Sequence, residues 1–369
     1  MCLLGLNISN KPLVPINCLL RVLYQLSFCF GPSLFVTAKK YIKSKMAEEL
    51  QMVAVQTPNC GVLHVYVQGN AEERAGKTYI ITVHDIGTNH KSFVRFVNHP
   101  SMAAVKEKSI FLHVCVPGQE DNAADYIGDF PTLDQIGEDL FAVLDKFEAK
   151  SCMGFGEGVG ANIICRFAMA HPNRAMGVIL VHCTSTTAGI LEYCKEKVMN
   201  IRLENSIMTD GAWDYLFAHK FGSDSLNKLS YIDEMKLTLN PKNLSKYLVA
   251  FTKRTDLSST IGDKLENVDA LLVSGSKAPH LHTVYTTHKS MNKRKTTLLV
   301  VDNVADVMQE APEKLSRSLI LLCKGCGTLS GVPIPGMERQ RTLSSSMEEA
   351  DRPRRMSVTQ PQLPPLPNN

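Results

Sequence analysis

Residues Ser151–Pro172 read SCMGFGEGVGANIICRFAMAHP, and the fold turns on how this stretch is divided. SCMGF is short, apolar and fit for a buried strand, while ANIICRFAMAHP carries a helical pattern that stops at His171-Pro172. Gly156-Glu157-Gly158-Val159-Gly160 stands between them. Three glycines at alternate positions predict a tight turn in which backbone passes close to neighbouring elements and at least one residue takes dihedrals that side chains resist.

Outward from this turn, strand-like and helix-like segments alternate. MVAVQT and VLHVYVQ form a candidate strand pair around Pro58, Asn59 and Gly61, and TYIITVHDIG and SIFLHVCVPG are continuous apolar strands ending in loops. TLDQIGEDLFAVLDKF spaces Leu133, Ile136, Leu140, Val143, Leu144 and Phe147 by threes and fours, as an amphipathic helix does. MGVILVHC follows, then DALLVSGS, TTLLVV and a last helix from about Pro312 to Lys324. Fully apolar strands separated by helices predict an α/β fold: a doubly wound, mostly parallel sheet covered on both faces.

Boundaries follow from where the alternation fails. Residues 1–46 form an apolar and basic leader, with Lys11, Arg21, Lys39, Lys40, Lys43 and Lys45 and no acid. Arg21, Gly31 and Pro32 interrupt its apolar run below the ~20 residues of a spanning helix, which leaves a dispensable leader with Met46 as a second start, or a segment that touches a membrane surface. Residues 47–184 and 268–331 are the two parts of the α/β domain. Residues 185–267 contain helical patches and no convincing strand, and are expected to form a helical cap over the carboxyl ends of the strands. Residues 332–369, rich in Pro, Ser and Arg without apolar periodicity, are expected to be a disordered C-terminal tail.

The body between leader and tail is slightly acidic, which argues against nucleic acid as a partner. An odd count of 11 cysteines, several in apolar runs, fits a reducing, cytoplasmic setting. Cys323-x-x-Cys326 lacks a second pair at zinc spacing, and His280-x-His282 lacks a third ligand, so neither calls for a metal. Gly156-x-Gly158-x-x-Ala161 matches the dinucleotide fingerprint in letters, but no acid follows about 20 residues on and the turn is not after the first strand. The sequence calls for no cofactor.

A small-x-nucleophile-x-small turn between strand and helix is the nucleophile elbow of the α/β-hydrolases, and here Gly158 stands where Ser or Cys would attack. VHDIGTNHKSF, VCVPGQED, FPTLDQIGEDL, GFGEGVGANI and LVSGSKAPH together resemble the N-myc downstream-regulated (NDRG) family, a branch of the α/β-hydrolase superfamily regarded as lacking hydrolase activity. The resemblance spans roughly Gln51 to Cys323, and the tail resembles the family's arginine-serine tail; the leader matches nothing. In hydrolase register the acid position falls on Ala278 and the histidine position on Ala305, with Asp302 and Asp306 nearby but not bases of the right kind. All three triad roles then lack their functional group, which predicts a protein that is not an enzyme. His84-Asp85-Ile86-Gly87 is the remnant of an oxyanion loop, and Asp85 sets a negative charge where an oxyanion would form.

A rival reading keeps weak hydrolysis with Cys183 or Ser185 as nucleophile and His84, His280 or His282 as base; the plainer one gives Cys183 to the core, Ser185 to a helix cap and His84 to support of its loop. RQRTLS and RPRRMS place Arg339 and Arg341 before Ser344, and Arg352 and Arg354 before Ser357. Arginines at −5 and −3 suit the acidic groove of a basophilic kinase, so both serines are candidate phosphorylation sites, and PQLPPLP resembles a polyproline ligand. The resemblance implies signalling, stress-response, differentiation or trafficking roles through protein partners or lipid contact.

Overall fold

The computed structural model describes residues 50–70, 74–189, 202–222 and 228–335. The leader, the tail serines Ser344 and Ser357 and their arginines Arg339, Arg341, Arg352 and Arg354 lie outside the described residues, as do two stretches of the cap region. The chain divides into two compact units, Met1–Val332 and Pro333–Asn369, and every element below belongs to the first.

Eight strands form one sheet: β1 (Gln51–Thr57), β2 (Gly61–Gln68), β3 (Thr78–Val83), β4 (Ser109–Cys115), β5 (Cys152–Glu157), β6 (Ala175–Val181), β7 (Asp269–Gly275) and β8 (Thr296–Val301). Their order is β1-β2-β4-β3-β5-β6-β7-β8. β1 and β2 pair antiparallel, as do β2 and β4, and every later pairing is parallel. All seven residues of β4 and all six of β5 are buried. Because successive strand residues point to opposite faces, unbroken burial means that both faces are covered, which is why these segments carry no polar alternation.

The covering helices are α1 (His90–Val97), α2 (Ala103–Glu107), α3 (Leu133–Lys146) and α4 (Val159–Ala170), then α9 (Leu281–Ser290), α10 (Val307–Glu310) and α11 (Pro312–Gly325). α1 stops at Val97, and Pro100 opens a separate turn of 3-10 helix, Pro100–Met102. α3 begins with a reciprocal capping box between Thr132 and Gln135 and packs on α4. Phe93 and Phe96 of α1 meet Phe155 of β5 edge to face, at ring centroid distances of 4.8 and 5.7 Å.

Between β6 and β7 come α5 (Asp210–Phe221), α6 (Lys228–Thr238), α7 (Pro241–Thr252) and α8 (Ile261–Lys264). The cap is tied to the body by polar side chains as well as packing. Buried Asn243 of α7 accepts from Tyr126 N at 2.7 Å and donates to the carbonyls of Gly118 and Ala124, at 2.9 and 2.8 Å. Arg166 of α4 donates to the hydroxyl and carbonyl of Thr255, at 2.6 and 2.8 Å, and pairs with Asp134. Among the described residues no helix is long and apolar enough to cross a membrane.

Candidate functional site

The site lies where β3, β5, β6, β7 and β8 end. Gly158 sits between β5 and α4 with φ 55° and ψ −117°, a conformation that L residues resist. A Cβ at Gly160 would fall onto the Val83 carbonyl, and one at Gly156 onto the backbone of Gly160 and Ala161, so the small residues of the turn are required by close approach. A Cβ at Gly158 itself would fall onto the carboxylate of Asp85.

That contact defines the chemistry. In an α/β-hydrolase the oxyanion is held by the N–H after the nucleophile and by an N–H of the loop after β3. Here those amides are Val159 and Ile86, and both donate to Asp85 Oδ1, at 2.9 and 2.8 Å. The other carboxylate oxygen, Oδ2, lies 3.0 Å from His219 Nε2 of α5. Burial alone would raise the Asp85 pKa, but His219, the Val159 N–H and nearby Lys220 outweigh it and hold the carboxyl well below its usual range. The donors that would stabilise a developing negative charge are thus already taken by a fixed one.

A second buried cluster adjoins the first. Lys220, next to His219 in the last turn of α5, pairs with Glu157 at the end of β5 and lies 3.2 Å from Asp306 Oδ2 ahead of α10. Burial would lower the Lys220 pKa, yet the Asp306 and Glu157 carboxylates outweigh it and raise it, so the ammonium stays charged. Glu157 is pushed up by burial and by the Asp306 and Asp85 charges, against Lys220. Asp306 Oδ1 also caps α10, accepting from Met308 N at 3.0 Å and Gln309 N at 3.3 Å. His182, at the end of β6 with φ 54°, is pulled down to about 4 by burial and so stays neutral near neutral pH.

Ala278 follows β7 and Ala305 follows β8, in two loops that touch: Lys277 N donates to Val304 O at 2.9 Å, and Asn303 N to Ser276 Oγ at 2.9 Å. Neither alanine brings a titratable group; the residue after Ala305, Asp306, does, and it faces a lysine. His84 is buried and pulled down to about 4 by that burial, with Nδ1 2.8 Å from Asp85 O and Nε2 accepting from Val116 N at 3.0 Å. It braces two loops. Gly87 follows at φ 69°, packed beneath Leu216 of the cap.

Of the rival nucleophiles, Cys183 is buried and its thiol pushed well up by that burial, against the thiolate a nucleophile needs. Ser185 Oγ lies 3.2 Å from both Ser258 Oγ and Thr287 Oγ1, a hydroxyl cluster joining the start of the cap to α9. The helix that Ser185 was expected to cap falls on residues 190–201, outside the described residues. His280 stands at the start of α9 but makes no side-chain cap bond, its ring 5.5 Å from that of His219, and His282 is exposed. Cys323 and Cys326 are free thiols, and among the described residues no cluster of His, Cys, Asp and Glu could hold a metal.

Sequence reasoning missed Glu157, His182, His219 and Lys220. One signal was available: in GAWDYLFAHKF, Trp213, Leu216 and Phe217 mark the apolar stripe, and Lys220 falls on it.

The Ndr family profile matches residues 53–330, which contain every element of this site. The chain belongs to the Ndr family. It is 84% identical over 321 residues to the uncharacterized protein ZK1073.1 of Caenorhabditis elegans, covering 87% of this chain and 99% of that one. It is 29% identical to protein NDRG3 of Xenopus laevis, over 78% of each chain, and 28% identical to protein NDRG2 of Danio rerio, over 88% of this chain and 89% of that one. Among solved structures, this Ndr-family chain is similar to a thermophilic esterase from Thermogutta terrifontis, with a TM-score of 0.63 and 13% identity over 75% of this chain and all of the esterase. An enol-lactonase from Burkholderia xenovorans gives a TM-score of 0.59 and 15% identity, over 74% of this chain and all of that one. At such identities the likeness establishes the α/β-hydrolase fold alone.

Proposed function

We propose that this Ndr-family chain is a non-hydrolysing binding protein: the hydrolase-like body offers a rigid recognition surface, and the tail is an arm whose charge is set by phosphorylation. The observation that supports this best is the Asp85 carboxylate on the Ile86 and Val159 amides, beside a turn whose apex, Gly158, has no side chain. Acyl transfer needs a nucleophile and vacant oxyanion donors together, and losing either costs orders of magnitude in rate. The partners are proteins of signalling or vesicle traffic, met in the cytoplasm or at a membrane surface. A basophilic kinase reading Arg339, Arg341, Arg352 and Arg354 would phosphorylate Ser344 and Ser357, each phosphate adding about −1.5 to −2 charges.

Two measurements on the full chain test this. Activated esters should turn over no faster than with a heat-treated control, and sustained turnover by the folded chain defeats the reading. Affinity capture with Ser344 and Ser357 changed together to Ala or to Asp should recover different partner sets, and identical recovery removes the regulated arm.

A further inference from the structure

β8 is the last strand of the sheet, and among the described residues no strand pairs with its outer edge. Such an edge is a template for another chain, and soluble proteins usually guard it with charge, proline or a bulge. β8 reads TTLLVV, with no charge, no proline and an unbroken register on β7. Leu298, Leu299 and Val300 are each only half-buried. Beside them an apolar groove runs between β8 and α11, lined by Leu271, Leu299, Leu321 and Leu322, with Leu321 47% exposed. The carbonyls of Lys295 and Val301 accept from Ala270 N and Ser276 N on the β7 side. By strand alternation, Thr296, Leu298 and Val300 turn their N–H and C=O groups to the open edge. The ends of the strand carry opposite charge: Lys293, Arg294 and Lys295 precede it and Asp302 follows it. Lys293 donates to the His288 carbonyl and Lys295 pairs with Asp269 at 3.3 Å. Arg294 and Asp302 are exposed and, among the described residues, in no ion pair.

We infer that β8 pairs antiparallel with β8 of a second copy of this chain, about a two-fold axis between the two Leu298 residues, joining two sheets into one. When a strand pairs with itself in this way, opposed residues share a face of the sheet, so only registers that oppose even numbers to even and odd to odd are allowed. The register centred on Leu298 sets Thr296 against Val300 and Thr297 against Leu299, and it brings Arg294 of each copy to Asp302 of the other. The outward backbone groups of Thr296, Leu298 and Val300 then meet as hydrogen-bonded pairs. The grooves beside α11 lie on one face and adjoin across the axis. The occupant is a second copy because the strand complements itself, in charge at its ends and in backbone groups along its edge. This goes beyond the proposed binding role and does not depend on it.

Sedimentation velocity of the full chain, from about 1 μM to 1 mM, should show a monomer–dimer equilibrium. Arg294→Asp and Asp302→Arg should each weaken the dimer about ten-fold, since each turns two attractive contacts into two repulsive ones. Both sites are exposed, so the circular dichroism of either variant should match that of the wild type. An equimolar mixture of the two variants should dimerise about as strongly as the wild type, because both contacts in the mixed dimer join opposite charges. If either variant loses its fold, Thr297→Lys, at another exposed position, takes its place: it sets a charge against Leu299 of the other copy and should likewise weaken the dimer about ten-fold. A monomer throughout the range, a dimer that the variants leave unchanged, or a mixture no stronger than either variant alone overturns the assignment.

Discussion

At the scale of single residues, Gly158 and Asp85 define each other. The turn needs φ near 55°, and the space a side chain would occupy holds the Asp85 carboxylate. Gly158→Ser should therefore create no esterase. It should destabilise the fold by about 1–3 kcal/mol from backbone strain, with the clash in addition. Adding Asp85→Gly should recover the clash part, giving a coupling of about 0.5–3 kcal/mol in a urea-unfolding double-mutant cycle; strict additivity would show that the two sites do not touch. Asp85 also sets an acid limit. Its folded pKa lies below the ordinary aspartate value of about 3.9, so its stabilising effect is complete above that value and fades as pH falls through the folded pKa. Unfolding free energies of wild type and Asp85→Asn should keep their full gap above about pH 4 and narrow it progressively as pH falls further below that value; a gap that does not narrow in acid contradicts the ionised-carboxylate account. The glycine turn was legible because glycines at alternate positions have few other uses, and the electrostatic problem at Asp85 was legible from its place in HDIG. The reach of its side chain to the Val159 amide was not, since it joins residues 74 apart.

Among elements, the cap helix α5 is fastened to the body by two consecutive residues, His219 on Asp85 and Lys220 on Glu157 and Asp306. A buried charge left without its partner costs far more than the intact pair contributes. Lys220→Met should thus destabilise the fold by about 3–5 kcal/mol, and Glu157→Gln in the same chain should return part of the loss. Equal stability of Lys220→Met and wild type in urea would mean that the cap does not depend on this pair. The helix itself was legible from its apolar stripe. Its function as a clamp was not, because a lysine among apolar residues on a helix more often extends its ammonium to solvent. Here Glu157 and Asp306, from distant parts of the chain, hold it inside.

At the scale of the whole molecule, a mostly parallel sheet covered on both faces followed from apolar runs with helices between them, while the strand order, with β4 between β2 and β3, came only with the structure. What the pattern did not carry was the polar interior beneath the cap: Asp85, Glu157, Lys220 and Asp306 are each ordinary in their own segments and become a cluster only when the strand ends converge. The fold is that of α/β-hydrolases, and at the strand ends the Asp85 carboxylate accepts from the Ile86 and Val159 amides while Lys220 pairs with Glu157 beside it. The most direct test is covalent. Incubation of the folded chain with a fluorophosphonate, followed by intact-mass and peptide mapping against a heat-treated control, should yield no stoichiometric adduct. A single adduct on a residue beneath the cap, such as Ser185, formed only by the folded chain, would contradict the account.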